Sequence, residues 1–231
     1  MKKLEEITLE NFENFFIKNL DLSHSQIKQD LFVLFVLDMK KNGFFVEFGA
    51  CDGIELSNTL TLEKNFNWKG ILSEPCKFWH KDLFENRKCN INIDAVWSNS
   101  NEKMLFNEVD SFKTLSNIDF INPNDDFNDL RQKTTNVKYE VNTISLKDLL
   151  LKFDSPKNID YLSIDTEGSE FEIIKNFDFN LYNIKIITIE HNWSKNNTTN
   201  TKHKIYDLLT NNGYKNVLSE ISGQDDWYIK F

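Results

Sequence analysis

The chain has 231 residues, 40% of them hydrophobic and 13% aromatic, which suits one α/β domain with a substantial core. Its formal net charge of −9 and a pI near 5.0 argue against a nucleic-acid or anionic-membrane surface. The only arginines are Arg87 and Arg131, so the forked donors usually found on phosphates are scarce.

In chain order, Met1 to Glu6 is charged and has no signal-type apolar core. Leu4, Ile7, Leu9, Phe12, Phe15, Phe16 and Leu20 recur at helical spacing. Ser23 or Ser25 is expected to cap a second helix, Gln26 to Lys41, that Gly43 ends. Its run Leu31 to Leu37 is far too short to span a bilayer. Residues 1–42 therefore read as a helical segment, and 43–231 as the main domain.

Phe44 to Phe48 reads as a buried central strand that runs into the loop Gly49-Ala50-Cys51-Asp52-Gly53. A helix is expected from Asn58 to Asn65, a second strand from Gly70 to Glu74, a helix from Cys76 to Asn86 and a third strand from Ile91 to Ser98. Alternating strands and helices signal a doubly wound parallel sheet. The rhythm breaks at 99–143. Met104 to Val109 could be a strand, Ser111 to Asn136 reads as a long loop, and Lys138 to Ile144 as an exposed strand. This segment reads as an insertion over the sheet's carboxyl edge, where an acceptor would be recognised. A helix capped by Ser145, a fourth strand from Ile159 to Asp165, and a helix from Gly168 to Asn176 follow. A fifth strand spans Ile184 to Glu190, and a helix Thr201 to Asn212. Tyr214 to Ile221 and Trp227 to Phe231 should pair antiparallel.

Several acids fall at or just beyond the carboxyl ends of these strands, where open α/β sheets bind ligands. Glu47, Gly49, Asp52 and Gly53 do not make the glycine fingerprint of nicotinamide sites, because Cys51 stands at its second glycine position. Their acidic pattern suits a cationic, hydroxyl-bearing nucleotide. Glu74 is placed to accept from ribose hydroxyls. Asp94 and the backbone of Ala95 are placed to hold an adenine. Glu47 and Asp52 are candidates for an amine. Asp165, Glu167 and His191 are the candidate catalytic groups, and His191 is the first choice of base because a neutral imidazole accepts a proton near pH 7. Asp165, Glu190 and Asn192 could instead be oxygen ligands to Mg²⁺. For any one of these acids, the alternative is a helix cap or a solvated loop. Cys51, Cys76 and Cys89 are odd in number and lack metal-ligand spacing, which fits a reduced, cytoplasmic protein.

Gly43 to Gly53, Ser57-Asn58-Thr59, Leu62-Glu63-Lys64, Trp68 to Pro75 and Ile159 to Glu170 together resemble the FkbM family of S-adenosylmethionine (SAM) methyltransferases. Ser25-Gln26, Gln29-Asp30 and Asp225-Asp226-Trp227-Tyr228 share that likeness. The resemblance implies a class I, Rossmann-like fold: a seven-stranded, mostly parallel sheet with an antiparallel last strand and helices on both faces. It implies SAM as cofactor, with Asp165 also near the reacting methyl. It further implies O-methylation of a hydroxyl, often on a sugar, so a nucleotide-sugar, glycan or glycolipid is the expected acceptor. The alternatives are a nonenzymatic SAM- or nucleotide-binding module and an N-methyltransferase acting on a small amine.

Overall fold

The computed structural model describes residues 1–119, 121, 128–191 and 201–231, without the side chains of Asn128 and Gln132. The chain opens with helices α1 (Leu9–Asn19) and α2 (Gln29–Val36). Strand β1 (Phe44–Phe48), helix α3 (Leu60–Phe66), strand β2 (Lys69–Ser73), helix α4 (His80–Asn86) and strand β3 (Asn90–Asn92) make the first alternating run. Strands β4 (Ala95–Trp97), β5 (Lys103–Val109) and β6 (Asn117–Ile118), helix α5 (Asn128–Lys133) and strand β7 (Asn136–Ser145) come next. The rhythm then resumes with α6 (Leu146–Lys152), β8 (Asn158–Ile164), α7 (Glu170–Ile174) and β9 (Asn183–Glu190). Helix α8 (Thr201–Asn211) and strands β10 (Lys215–Val217) and β11 (Asp225–Ile229) close the chain.

The fold is α/β with a mixed seven-stranded sheet in the order β10-β11-β9-β8-β1-β2-β3. Strand β11 runs antiparallel to β9 and to β10, while β1, β2, β3, β8 and β9 pair in parallel. Alternation sends Phe45 to one face and Val46 to the other. Phe45 joins α1, α2 and Trp227 in one apolar cluster, where the Phe32 and Trp227 rings stack at 4.6 Å. Val46 joins α6, α7 and α8 in a second cluster. The N-terminal helices thus share a core with the sheet.

Three expectations are corrected. Ile91 to Ser98 is not one strand: Ser73 Oγ and Asn92 Nδ2 both donate to the Asp94 carbonyl, at 3.1 and 2.8 Å, and the chain leaves the large sheet there. It re-enters as β4 in a separate four-stranded sheet, β4-β7-β5-β6, so the protein does not have a single sheet. The supposed long loop at 111–136 carries β6 and α5, and β5 pairs with β7 over the full register from Lys103↔Asn142 to Val109↔Asn136. Cys76, Ala95, Phe106, Ile118 and Val141 form the small core beneath it. Helix α2 is also shorter than expected. It starts after Lys28 in a left-handed conformation, with the Asp30 carboxylate accepting from Ser23, Ser25 and the His24 N–H. Among the described residues, no helix is long and apolar enough to cross a membrane.

Candidate active site

The strand order reverses between β1 and β8, and their carboxyl ends open the crevice where such sheets take ligands. A cavity of about 320 Å³ lies there. Glu47, Gly49 and Cys51 line it from the β1 side, Glu74 from β2, Asp165 and Glu167 from β8, and Glu190 from β9. Residues 112–118, which precede and enter β6, supply a further wall together with Ala95, Val96 and Phe106.

The β1 loop is built on Gly49, whose φ of +78° is open to glycine and strained for other residues. Glu47 is buried beside it and accepts from the Asn58 N–H at 2.7 Å and from the Thr59 hydroxyl. The Arg87 guanidinium is 3.9 Å away. Burial pushes the Glu47 carboxyl up despite Arg87. Arg87 is itself fully enclosed: Nε donates to Glu63 Oε2 at 2.7 Å, and Nη1 donates to the Gly53 carbonyl at 3.1 Å. One buried cation therefore staples the loop, which accounts for Gly53, where a Cβ would meet Arg87 Cγ at 2.5 Å. Gly53 and Asp52 do not line the cavity. The Asp52 carboxylate caps a turn, accepting from the Ile54 and Glu55 N–H groups at 2.8 Å.

Glu74 stands at the cavity wall with both oxygens oriented. Oε2 accepts from the Cys51 N–H at 2.9 Å and Oε1 from the Cys76 N–H at 2.8 Å. Each oxygen keeps capacity for a further donor. Burial raises this carboxyl to about 7, and the two N–H bonds pull against that rise. Ala95 lines the cavity, but Asp94 points to Lys152, with Nζ 3.4 Å from Oδ2. Burial raises the Cys51 thiol well above its ordinary value, and Cys76 and Cys89 to about 12, so none is poised as a thiolate.

On the β8 side, Asp165 and Glu190 share a hydrogen bond, and burial raises both carboxyls, each also repelled by neighbouring acids. One oxygen from each of Asp165, Glu167 and Glu190 lies within 4.8 Å of the others. Glu167, at φ 58°, is paired with Arg131 of α5. Arg131 Nε also donates to the Leu115 carbonyl at 3.0 Å, and Asn117 Nδ2 to the Glu167 carbonyl at 3.4 Å. The second sheet is thus hooked to the β8 loop. Glu170 Oε1 organises that loop, accepting from the Thr166 and Gly168 N–H groups at 2.9 and 3.0 Å.

His191 is the main departure from expectation. It is buried and does not line the cavity; its Nε2 lies 3.8 Å from Asp226 Oδ1. It follows Glu190 by one position, and neighbouring residues of an extended chain point to opposite sides, so Glu190 takes the cavity side. Burial lowers the His191 pKa, with Asp226 opposing the fall. Asn192 lies outside the described residues.

Sequence reasoning also missed groups that the fold brings in. Asn58 lines the cavity, donates through Nδ2 to Ser163 Oγ at 2.9 Å, and leaves a buried Oδ1 without a partner among the described residues. Gln29 reaches the cavity while Nε2 donates to Asp225 Oδ2 at 3.0 Å, across nearly the whole chain. The only signal for these was the family-like segments around Gln29, Asn58 and Asp225. Arg87 and Arg131 carried no signal beyond their rarity.

Residues 47–215 match the family model for the methyltransferase FkbM domain. The crystal structure of methyltransferase FkbM from Methylobacillus flagellatus KT is similar to this chain with a TM-score of 0.48 and 11% identity. The match covers 93% of this chain and 59% of that one, so the chain spans less than two thirds of that protein's length. No curated protein matches.

Proposed function

The chain belongs to the FkbM methyltransferase family, and from that premise we propose that it is a SAM-dependent O-methyltransferase acting on a saccharide hydroxyl. The observation that carries this reading is Glu74, a carboxylate at the second strand end with both oxygens fixed by backbone N–H groups at a cavity wall. Ribose hydroxyls would donate to it. Asn58 Oδ1, a buried acceptor without a hydrogen-bond partner among the described residues, fits the ammonium of the methionine end. Pro75, Ala95, Val96 and Phe106 give an apolar wall for an adenine. Glu47 and Gly53 serve by shaping the loop, with Asp52 capping its turn. We read residues 43–231 as the cofactor domain and 1–42 as a helical segment packed on it.

Bound SAM supplies an electrophilic methyl group on sulfur. The protein's share is to hold the acceptor hydroxyl in line, exclude water and take a proton. We assign the proton to Asp165. It lines the cavity, and its raised pKa brings it nearer the operating pH than an ordinary carboxylate. Glu190 shares the proton, and Arg131 fixes Glu167 beside them. His191 is given a structural role.

A second reading rests on the three close carboxylates, Asp165, Glu167 and Glu190, whose hard oxygens suit Mg²⁺. Chelation followed by Mg²⁺ addition separates the two: unchanged turnover fits Asp165 as base, and loss with restoration fits a metal. The test of the whole reading is a mass-spectrometric screen of saccharides with SAM for a gain of about 14 Da, one CH₂. No gain with any hydroxyl acceptor, while an amine gains it, would move the protein to N-methylation.

A further inference from the structure

An amide side chain offers a donor on one side and an acceptor on the other, so what Asn58 presents to a ligand is set by what holds its far side. One pair of strand neighbours holds Asn58 at two points. Glu47 of β1 and Ser163 of β8 stand opposite each other in the parallel register. Glu47 accepts from the Asn58 main-chain N–H at 2.7 Å, and Ser163 Oγ accepts from Asn58 Nδ2 at 2.9 Å. Ser163 is in turn the register partner of Thr188 on β9. Thr188 Oγ1 donates to Ser163 Oγ at 3.4 Å, and the Tyr161 hydroxyl lies 2.8 Å from Thr188 Oγ1. Tyr161 and Ser163 are two positions apart on β8, so they share one face of the sheet.

These hydroxyls are closed off from water: Tyr161, Ser163 and Thr188 are each at most 1% exposed. Thr188 has one proton and gives it to Ser163, so it accepts from Tyr161. Burial raises the Tyr161 hydroxyl well above its ordinary value and keeps that proton in place. Both lone pairs of Ser163 Oγ are then filled, one by Thr188 and one by the Asn58 NH2 group. Asn58 Oδ1 is left buried on a cavity-lining residue, without a partner among the described residues. A buried acceptor of this kind is costly until a ligand donates to it. The opposite direction, with Ser163 donating to the amide oxygen, would turn the NH2 group to the cavity and suit an anion. We propose that Ser163 and Thr188 are positioning residues that lock the Asn58 amide with its oxygen toward the ligand, so that Asn58 takes the ammonium of the methionine moiety and not its carboxylate. The inference deepens the SAM reading and rests on it.

The test is calorimetric titration of the full-length protein with three ligands. They are S-adenosylhomocysteine, its desamino analogue, which keeps the carboxylate, and its decarboxylated analogue, which keeps the ammonium. In the wild type, the two ammonium-bearing ligands should bind more tightly than the desamino analogue. Ser163→Ala should weaken those two by about tenfold and the desamino analogue by less than about twofold. Thr188→Val should show the same pattern at smaller size, and Thr188→Ser, which keeps the hydroxyl, should leave the selectivity in place. Equal losses for all three ligands would make Ser163 a merely structural residue and overturn the proposal. A loss that follows the carboxylate, or no loss, also overturns it. If a variant fails to fold, the wild type carries its own readout: the Asn58 side-chain amide, followed by NMR in the ligand-free protein, should exchange its hydrogen-bonded proton with water slowly. Rapid exchange overturns the proposal. Equal wild-type affinity for S-adenosylhomocysteine and its desamino analogue overturns it while the SAM reading stands. A wild type that binds none of the three contradicts the SAM reading, and the proposal falls with it.

Discussion

The backbone carbonyl of Asp165 occupies the place a side chain on Gly49 would need: a Cβ there would stand 1.8 Å from the oxygen. The two residues follow adjacent parallel strands, and Asp165 N–H reaches back to the Phe48 carbonyl at 3.4 Å. The glycine loop and the β8 acid are thus one unit, with the cavity floor set by how closely they approach. Gly49→Ala is expected to destabilise the protein by roughly 2–5 kcal/mol, combining left-handed strain with overpacking against backbone. Urea denaturation measures it. A change below about 1 kcal/mol would mean that the loop yields easily.

Arg87 should matter as much, though it does not line the cavity. Arg87→Met leaves Glu47 and Glu63 without their buried cation, at an expected cost of about 3–5 kcal/mol. Adding Glu47→Gln should recover part of the loss, since one stranded charge is then gone. Independent, additive effects in that double-mutant cycle would refute the coupling.

Catalysis separates Asp165 from His191. Asp165→Asn should lower kcat by roughly 10²–10⁴-fold while SAM still binds. His191→Ala should leave kcat near wild type and reduce stability instead, because the imidazole is buried against Asp226. The reverse pattern in steady-state kinetics would return the base to His191.

The pH dependence follows from Glu74. Its folded-state carboxyl is raised from 4.5 to about 7, so the folded protein holds this proton more tightly than the unfolded chain. Its contribution to stability is therefore fully present below about 4.5 and is lost as pH rises toward 7. Without ligand, Glu74→Gln should gain stability relative to wild type as pH rises through that window. A flat difference between the two melting profiles would contradict the shift. Ribose hydroxyls favour the carboxylate, so SAM should bind more tightly from pH 6 to 8 and release protons, read by calorimetry in buffers of different ionisation enthalpy.

Much of this arrangement was legible in the sequence, because local signals sufficed. The apolar run before Gly49 and the acid-rich turn after Ile164 each announce a strand and its loop within ten residues. What was hidden depends on distant partners. Strands β4 and β6 are three and two residues long, and only pairing with β7 and β5 makes them strands. The Gln29–Asp225 bond spans 196 positions. Asp52 and Asp94 have the right residue type at the right edge, yet a turn and Lys152 claim them. For His191 the strand end was found but not its side, which a one-residue shift reverses.

The most direct test of the account is calorimetric titration of SAM into the wild-type protein and Glu74→Ala. The account predicts stoichiometric binding to wild type and a loss of roughly 1–3 kcal/mol in the variant, because ribose donors lose their buried acceptor. No binding to the wild type, or equal affinity in both proteins, would contradict it.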